Sequence, residues 1–193
     1  GIMEPLGHSQ VLKYLEKLSK NYKINLITFE KKSNLTNLSS LKKLIKICNE
    51  RNIYWHRIKY RNGQFGFGKL VNIFNLIRVP LYIFFTKNIA LVHIRSYMPG
   101  IVIPILRAIF KFDLIFDMRG FWADEKHDRL NWSKKSFKYK FFKSLEKYLI
   151  NNSQQIVTLT EASKEIMISD FEAERSLIDV IPTCVDFDQF SRT

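Results

Sequence analysis

Apolar residues recur along the chain at two spacings, and the two alternate. Helical spacing, with apolar positions three and four apart, runs through Ser9–Lys20, Leu35–Arg51, Lys69–Lys87, Met98–Phe110, Ser136–Ile150 and Glu161–Phe171. Between these lie short β-branched or aromatic runs: Ile24–Phe29, Ile53–Tyr60, Ala90–Ile94, Leu114–Asp117, Gln155–Leu159 and Leu177–Ile181. Runs such as Ile24–Phe29 and Ile156–Leu159 lack strict polar alternation, as strands do when helices cover both faces. Strands alternating with helices in this way predict an α/β fold with a doubly wound, mostly parallel sheet. No internal repeat and no low-complexity segment interrupts the pattern.

Both ends of the pattern look cut. Gly1–Gln10 reads as a loop opening the helix Ser9–Lys20, and in an α/β sheet such a loop follows the first, central strand. Either residues upstream of Gly1 supply that strand, or this first strand is missing. Its loss would leave two long unpaired edges, which strand exchange or a partner would have to cover. At the other end, Leu177–Ile181 runs into Pro182-Thr183-Cys184-Val185-Asp186 and the aromatic pair Phe187 and Phe190, with only Ser191, Arg192 and Thr193 beyond. A strand meeting Pro and a polar turn hands the chain to a further element, so the ending reads as the exit toward another domain.

Composition narrows the class. At 193 residues, 46% hydrophobic and 25% charged, the chain fits an ordinary globular domain. The net charge of +13 does not fit that average, and it points to an anionic partner: nucleic acid, an acidic lipid surface or a phosphorylated substrate. Cys48 and Cys184 lie far apart with no CxxC spacing, which excludes a thiolate zinc site and gives no disulfide framework. No signal peptide is recognised at Gly1. The most membrane-like run, Leu70–Phe85, is broken by Asn72, Asn75, Arg78 and Pro80. A charge near the centre of a spanning helix costs about 2.5–3.5 kcal/mol, so this run is expected to be a helix packed in the core.

Candidate chemistry gathers at predicted strand ends. Pro5-Leu6-Gly7-His8-Ser9 puts a Gly and polar residues where a helix begins, and free amides with the helix dipole there suit an anion. Ser9 reads equally as a plain N-cap. Asp117-Met118-Arg119-Gly120-Phe121-Trp122-Ala123-Asp124 follows a strand directly, and ligands of open α/β sheets bind outside the carboxyl ends of strands. A carboxylate, a guanidinium and a Gly there can orient hydroxyls and phosphates; Asp117 paired with Arg119 on a solvated loop is the alternative. Arg95-Ser96-Tyr97 ends the neighbouring strand on the same rim. His93, inside that strand, reads as a core histidine. His8, His56, His93 and His127 lack metal spacing, and nothing resembles a GxSxG elbow.

The densest charge lies in Lys134–Leu149. As a helix it gathers Phe137, Phe141, Leu145, Tyr148 and Leu149 into one apolar stripe with lysines elsewhere. The stripe is expected to pack inward while Lys134, Lys135, Lys138, Lys140, Lys143 and Phe142 reach toward lipid headgroups. Nucleic acid ranks last as a partner, because no RRM, KH, helix-turn-helix or zinc-finger pattern accompanies the charge. A non-enzymatic basic module binding anionic membrane or nucleic acid is the competing reading of the whole chain.

Five segments occur in the order in which similar ones occur in glycosyltransferase family 4. They are Glu4–Val11, Val92–Tyr97, Asp117–Trp122, Ile156–Ser163 and Val180–Asp186. The chain resembles the N-terminal domain of these two-domain, retaining enzymes of GT-B fold. The resemblance implies a Rossmann-like domain over residues 1–182, an interdomain linker beginning at 183–193, and a donor-binding C-terminal domain absent from this chain. It implies sugar transfer, of hexosyltransferase type, from a nucleotide-sugar to a glycan or lipid-linked acceptor in cell-surface polysaccharide synthesis. The resemblance implies a half that would be inactive alone, cytoplasmic, and able to sit peripherally on the inner face of the plasma membrane. Gly7, His8 and Ser9 would approach the donor diphosphate, and Asp117 and Arg119 would serve catalysis. Arg95, Tyr97, Gly120 and Trp122 would form the acceptor rim. Asp117 stands where relatives often carry His, and Thr183-Cys184 where they commonly carry Asn-Gly. No cofactor and no metal is implied beyond the nucleotide-sugar substrate.

Overall fold

A computed structural model describes residues 1–62 and 66–183. The expected turn at Cys184-Val185-Asp186, the pair Phe187 and Phe190, and the linker beyond residue 183 lie outside the described residues. In chain order the elements are α1 Pro5–Gly7, a π turn His8–Leu12, α2 Lys13–Leu18, β1 Ile24–Glu30, α3 Lys32–Thr36, α4 Leu38–Glu50, β2 Ile53–Lys59 and α5 Phe67–Thr86. There follow β3 Leu91–Arg95, α6 Tyr97–Gly100, α7 Ile103–Arg107, β4 Asp113–Asp117, α8 Trp122–Leu130 and α9 Phe137–Asn151. The described chain closes with β5 Gln155–Thr158, α10 Glu161–Phe171, a 3-10 turn Arg175–Leu177 and β6 Ile178–Val180. The architecture is α/β with parallel sheets. The strands form two ladders, β1-β2 and β3-β4-β5-β6, instead of the single sheet expected. The chain divides into two compact units, Gly1–Lys87 and Asn88–Thr193.

In the first unit β1 and β2 pair in parallel, Ile24 opposite Ile53 through to Glu30 opposite Lys59. The connection runs through α4, whose start is fixed by the Asn37 side chain accepting the Ser40 amide at 3.2 Å. Leu44 and Cys48, four apart on α4, meet Ile53, Leu12 and Ile2 in one apolar cluster. Each large aliphatic side chain there contributes about 1.5–3 kcal/mol by leaving water. Burial also pushes the Cys48 thiol up to about 11, so it stays protonated as a small core residue. At the carboxyl end of β1, Glu30 is fully buried and its Oε1 accepts from the Ile2 amide and the Thr28 hydroxyl, each at 2.8 Å.

The front of the chain departs from the loop expected there. Glu4 is the extended N-cap and Pro5, with its φ preset, opens the helical run. The His8 amide is taken by the Glu4 carbonyl at 2.8 Å. The Ser9 hydroxyl bonds back to the Pro5 carbonyl at 3.0 Å, so Ser9 caps nothing. A π turn then closes when the Lys13 amide reaches the His8 carbonyl. A Cβ on Gly7 would collide with the carbonyl of Gly1 and the Cα of Ile2, so close backbone approach accounts for this glycine. Backbone atoms cannot swing aside as a side chain can. Gly7→Ala is therefore expected to cost about 1–3 kcal/mol, read as a lower urea midpoint with an unchanged m-value.

The helix expected at Lys69–Lys87 forms, but it is not wrapped by a core. Gly68, Leu76, Pro80 and Ile83 are buried, whereas Phe67, Leu70, Ile73, Phe74, Tyr82 and Phe85 are exposed. Only 22% of its most apolar stretch is buried, and it is long and apolar enough to cross a membrane by length and composition.

In the second unit β4 lies between β3 and β5, with Arg95 opposite Asp117 and Asp117 opposite Val157. Leu114 and Phe116 of β4, Ile94 of β3, Ile156 of β5 and Ile178 of β6 are buried. His93 keeps exposed surface on β3, while the protein around its ring holds the imidazole below its ordinary value, first by burial. The helix expected at Met98–Phe110 is broken into α6 and α7, with Pro99 within the first and Pro104 opening the second. Ser136 accepts the Tyr139 amide at 3.3 Å and starts α9 where the apolar spacing begins.

Candidate functional site at the rim of the second sheet

Parallel strands deliver their ends to one rim, so Arg95 at the end of β3 and Asp117 at the end of β4 become neighbours. Asp117 is buried, at 6% exposure. Its Oδ2 lies 3.6 Å from Nη1 of Arg95 and its Oδ1 lies 3.6 Å from Nη1 of Arg119. Two guanidinium groups thus flank one carboxylate without hydrogen-bonding those oxygens closely, and Oδ1 accepts no hydrogen bond. Burial holds Arg95 below its ordinary value, Asp117 pulls it back up and Arg119 pushes it down again. It remains a cation throughout the usual pH range. Arg119 also donates to the Thr183 hydroxyl at 3.0 Å.

The backbone under this triad is pinned. The Ser96 amide donates to the Asp117 carbonyl at 2.9 Å and the Met118 amide to the Val157 carbonyl at 2.8 Å. Ser96 adopts φ +70°, a strained value for a non-glycine residue. Gly120 sits at φ +147°, and a Cβ there would strike the Glu125 carboxylate. Tyr97, expected on the acceptor rim, is instead 2% exposed. Its ring meets Phe116 edge-on at 5.5 Å, and its hydroxyl lies 3.0 Å from the Gly120 carbonyl and 2.5 Å from Oε2 of Glu146. It is a strut beneath the rim. Trp122, also expected there, joins an aromatic cluster with Phe142 at 4.4 Å and Trp132 at 5.5 Å.

Lys143 and Phe142, expected to face lipid, both turn inward. Phe142 packs against Trp122, while Phe137 (82% exposed) and Phe141 (40%) point outward and stack on each other. The apolar stripe is therefore rotated from the one expected. Lys143 bonds Asp124 Oδ2 at 2.9 Å and the fully buried Glu146, and its ammonium lies 4.9 Å from the Phe171 ring centre. Burial lowers the Lys143 value, but bonds to Glu146 and Asp124 outweigh it and the net shift is upward. Burial likewise raises Glu146, with Lys143 and Tyr97 opposing. Lys134, Lys135, Lys138 and Lys140 remain exposed.

Apolar spacing gives no sign of this network. Its members Asp124, Tyr139 and Lys143, with Phe121, Ile166, Asp170 and Phe171, line a cleft of about 440 Å³. The one signal in the sequence is Glu146, a single carboxylate among the lysines of α9 and adjacent to Leu145. Tyr139 donates to Asp124 at 2.5 Å and its phenol is pushed up to about 12, first by burial and then by Asp124. Burial raises Asp124, but the Tyr139 and Lys143 bonds prevail and hold it low. Its stabilising contribution is present above the unfolded carboxylate value of about 3.9 and disappears as pH falls through the folded one. The side chain is 36% exposed, so screening limits this to under about 1 kcal/mol. Asp124→Asn is expected to flatten the acid limb of stability below about pH 4, seen by comparing urea midpoints across pH.

Among the described residues, no group of three or more His, Cys, Asp or Glu side chains could hold a metal ion. A buried carboxylate with an unfilled acceptor, set between two cations at a strand-end rim, suits a hydroxyl-rich or phosphorylated ligand. In comparison with known proteins, the model of the family described as Glycosyltransferase Family 4 matches residues 11–189. No curated protein sequence matches the chain.

Proposed function

The chain belongs to glycosyltransferase family 4, and from that membership we propose that it is the acceptor-side part of an enzyme moving a sugar from a nucleotide-sugar to a glycan or lipid-linked acceptor. The observation that carries the acceptor assignment is Asp117. Its Oδ1 is buried and accepts no hydrogen bond, so a sugar hydroxyl is the donor that completes it. Arg95 and Arg119 set positive charge on either side of that carboxylate, and the partly exposed Arg119 brings a guanidinium fork suited to a hydroxyl or a phosphate. Transfer with retention passes through an oxocarbenium-like state, and groups fixed before the reaction stabilise it most. Asp117 and Arg119 are the residues assigned to orient the reacting sugar, and the nucleotide is assigned to a second domain.

Cell-surface polysaccharide synthesis at the cytoplasmic face of the plasma membrane is the setting we propose. Supporting it on the second unit are exposed Phe137 and Phe141 beside exposed Lys134, Lys135, Lys138 and Lys140. The test is transfer by the full-length protein with a panel of nucleotide-sugars and both glycan and lipid-linked acceptors. A new glycosidic product is the expected result. Failure with every combination, by a folded protein, would sink the reading.

A further inference from the structure

The helix α5 is apolar on two opposite sides, and only one of them is buried. Leu76, Pro80 and Ile83 face inward, and α5 packs on β1. On the opposite side Phe67 (70% exposed), Leu70 (65%), Phe74 (62%), Tyr82 (63%) and Phe85 (70%) follow one another at helical spacing. A helix apolar all round is normally covered all round. Five large apolar side chains in one row form a contiguous patch of the kind that marks an interaction site.

Charge chooses the occupant. Residues 66–87 contain no Asp or Glu, and Lys69, Arg78 and Lys87 are exposed along the same helix. Arg78 sits within the apolar row, held against Asn75 at 3.4 Å. A neutral protein groove would bury that guanidinium without a counter-charge, at a large cost. At a bilayer surface the aliphatic stem lies among acyl chains while the charged head reaches lipid phosphate. Tyr82, in the same row, carries an amphipathic ring that suits the headgroup level. Because the inward side is anchored on the sheet, the helix can lie in the interface without leaving the fold.

We propose that the outward face of α5 is a bilayer-docking surface selective for anionic lipid. This goes beyond the transfer reading and does not need it. It is also distinct from the lipid face assigned to α9, so the two are tested apart. Full-length protein is sedimented with phosphatidylglycerol–phosphatidylcholine vesicles and with phosphatidylcholine vesicles alone. Phe74→Glu combined with Phe85→Glu is expected to weaken binding to the mixed vesicles about 100-fold, since two buried aromatics are replaced by charge. Lys138→Glu with Lys140→Glu should leave an α5-dependent part of that binding. The conservative Phe74→Trp, which keeps the fold, should show an added emission quenched by brominated acyl chains. Unchanged binding by the double Phe variant, an added emission of the Phe74→Trp variant that brominated lipid leaves unquenched, or a dimer of the wild type that the double Phe variant dissolves would each overturn the proposal.

Discussion

Replacing Glu146 by Ala is expected to lower the melting temperature by about 10 °C or more, the largest stability effect of any single change considered. The carboxylate is fully buried and serves two donors, the Lys143 ammonium and the Tyr97 hydroxyl. Removing it leaves the ammonium with Asp124 alone and opens a cavity where the carboxylate stood. Deleting one partner of a buried pair costs about 3–5 kcal/mol where the other charge is stranded. Here Asp124 retains Lys143, and the cavity and the lost Tyr97 bond supply the rest of the cost. Glu146→Gln keeps the volume and the Tyr97 bond and should lose less than half as much. Lys147→Ala, at the next and exposed position, should stay within about 0.5 kcal/mol of wild type. A melting curve for Glu146→Ala that overlays the wild type would mean the network is not formed in solution.

The largest effect on activity is expected at Asp117. A hydrogen bond to a charged group contributes about 1.5–3 kcal/mol, so Asp117→Asn should reduce kcat/KM of the full-length transferase about 10- to 100-fold. Asn keeps the shape but turns one acceptor oxygen into a donor and removes the negative charge between Arg95 and Arg119. Loss confined to acceptor KM would place Asp117 in acceptor binding, and loss in kcat would place it in orienting the reacting sugar. Unchanged turnover would remove Asp117 from the site altogether. Stability of the variant, measured alongside, separates either outcome from misfolding.

The strands and the rim were legible in the sequence because their signals are local. Apolar runs located every strand to within a few residues, and Arg95 and Asp117 could be placed on one rim because parallel strands share their ends. What failed depended on partners distant in sequence. The adjacent Phe141 and Phe142 point about 100° apart on a helix, so either could lead the buried stripe. Trp122 and Trp132, brought in by α8 and the chain after it, select Phe142. The helix α8 itself went unread, since Trp122–Leu130 has few apolar positions and takes its support from an acidic first turn and an Asn131 C-cap. At the front, one proline at N1 started a helix several residues before the expected Ser9. The full burial of Tyr97 and the inward turn of Lys143 both follow from Glu146, one turn along α9 from the lysine, and no pattern of apolar spacing announces that carboxylate as buried.

The ties across the rim also govern the heat and entropy of whatever binds there. Ser96, Met118 and Tyr97 hold the ends of β3 and β4 to each other, to β5 and to the loop at Gly120 before any ligand arrives. Freezing a mobile, rotamer-rich side chain on binding ordinarily costs about 0.5–1.5 kcal/mol. Here the strands' ends are already ordered, so the entropic penalty of the proposed association would fall mainly on the incoming sugar and on the two partly exposed arginines. If the acceptor binds there as proposed, a short, rigid one would lose little freedom at such a rim, whereas a long flexible glycan would gain affinity only through the few units set down beside Arg95, Asp117 and Arg119.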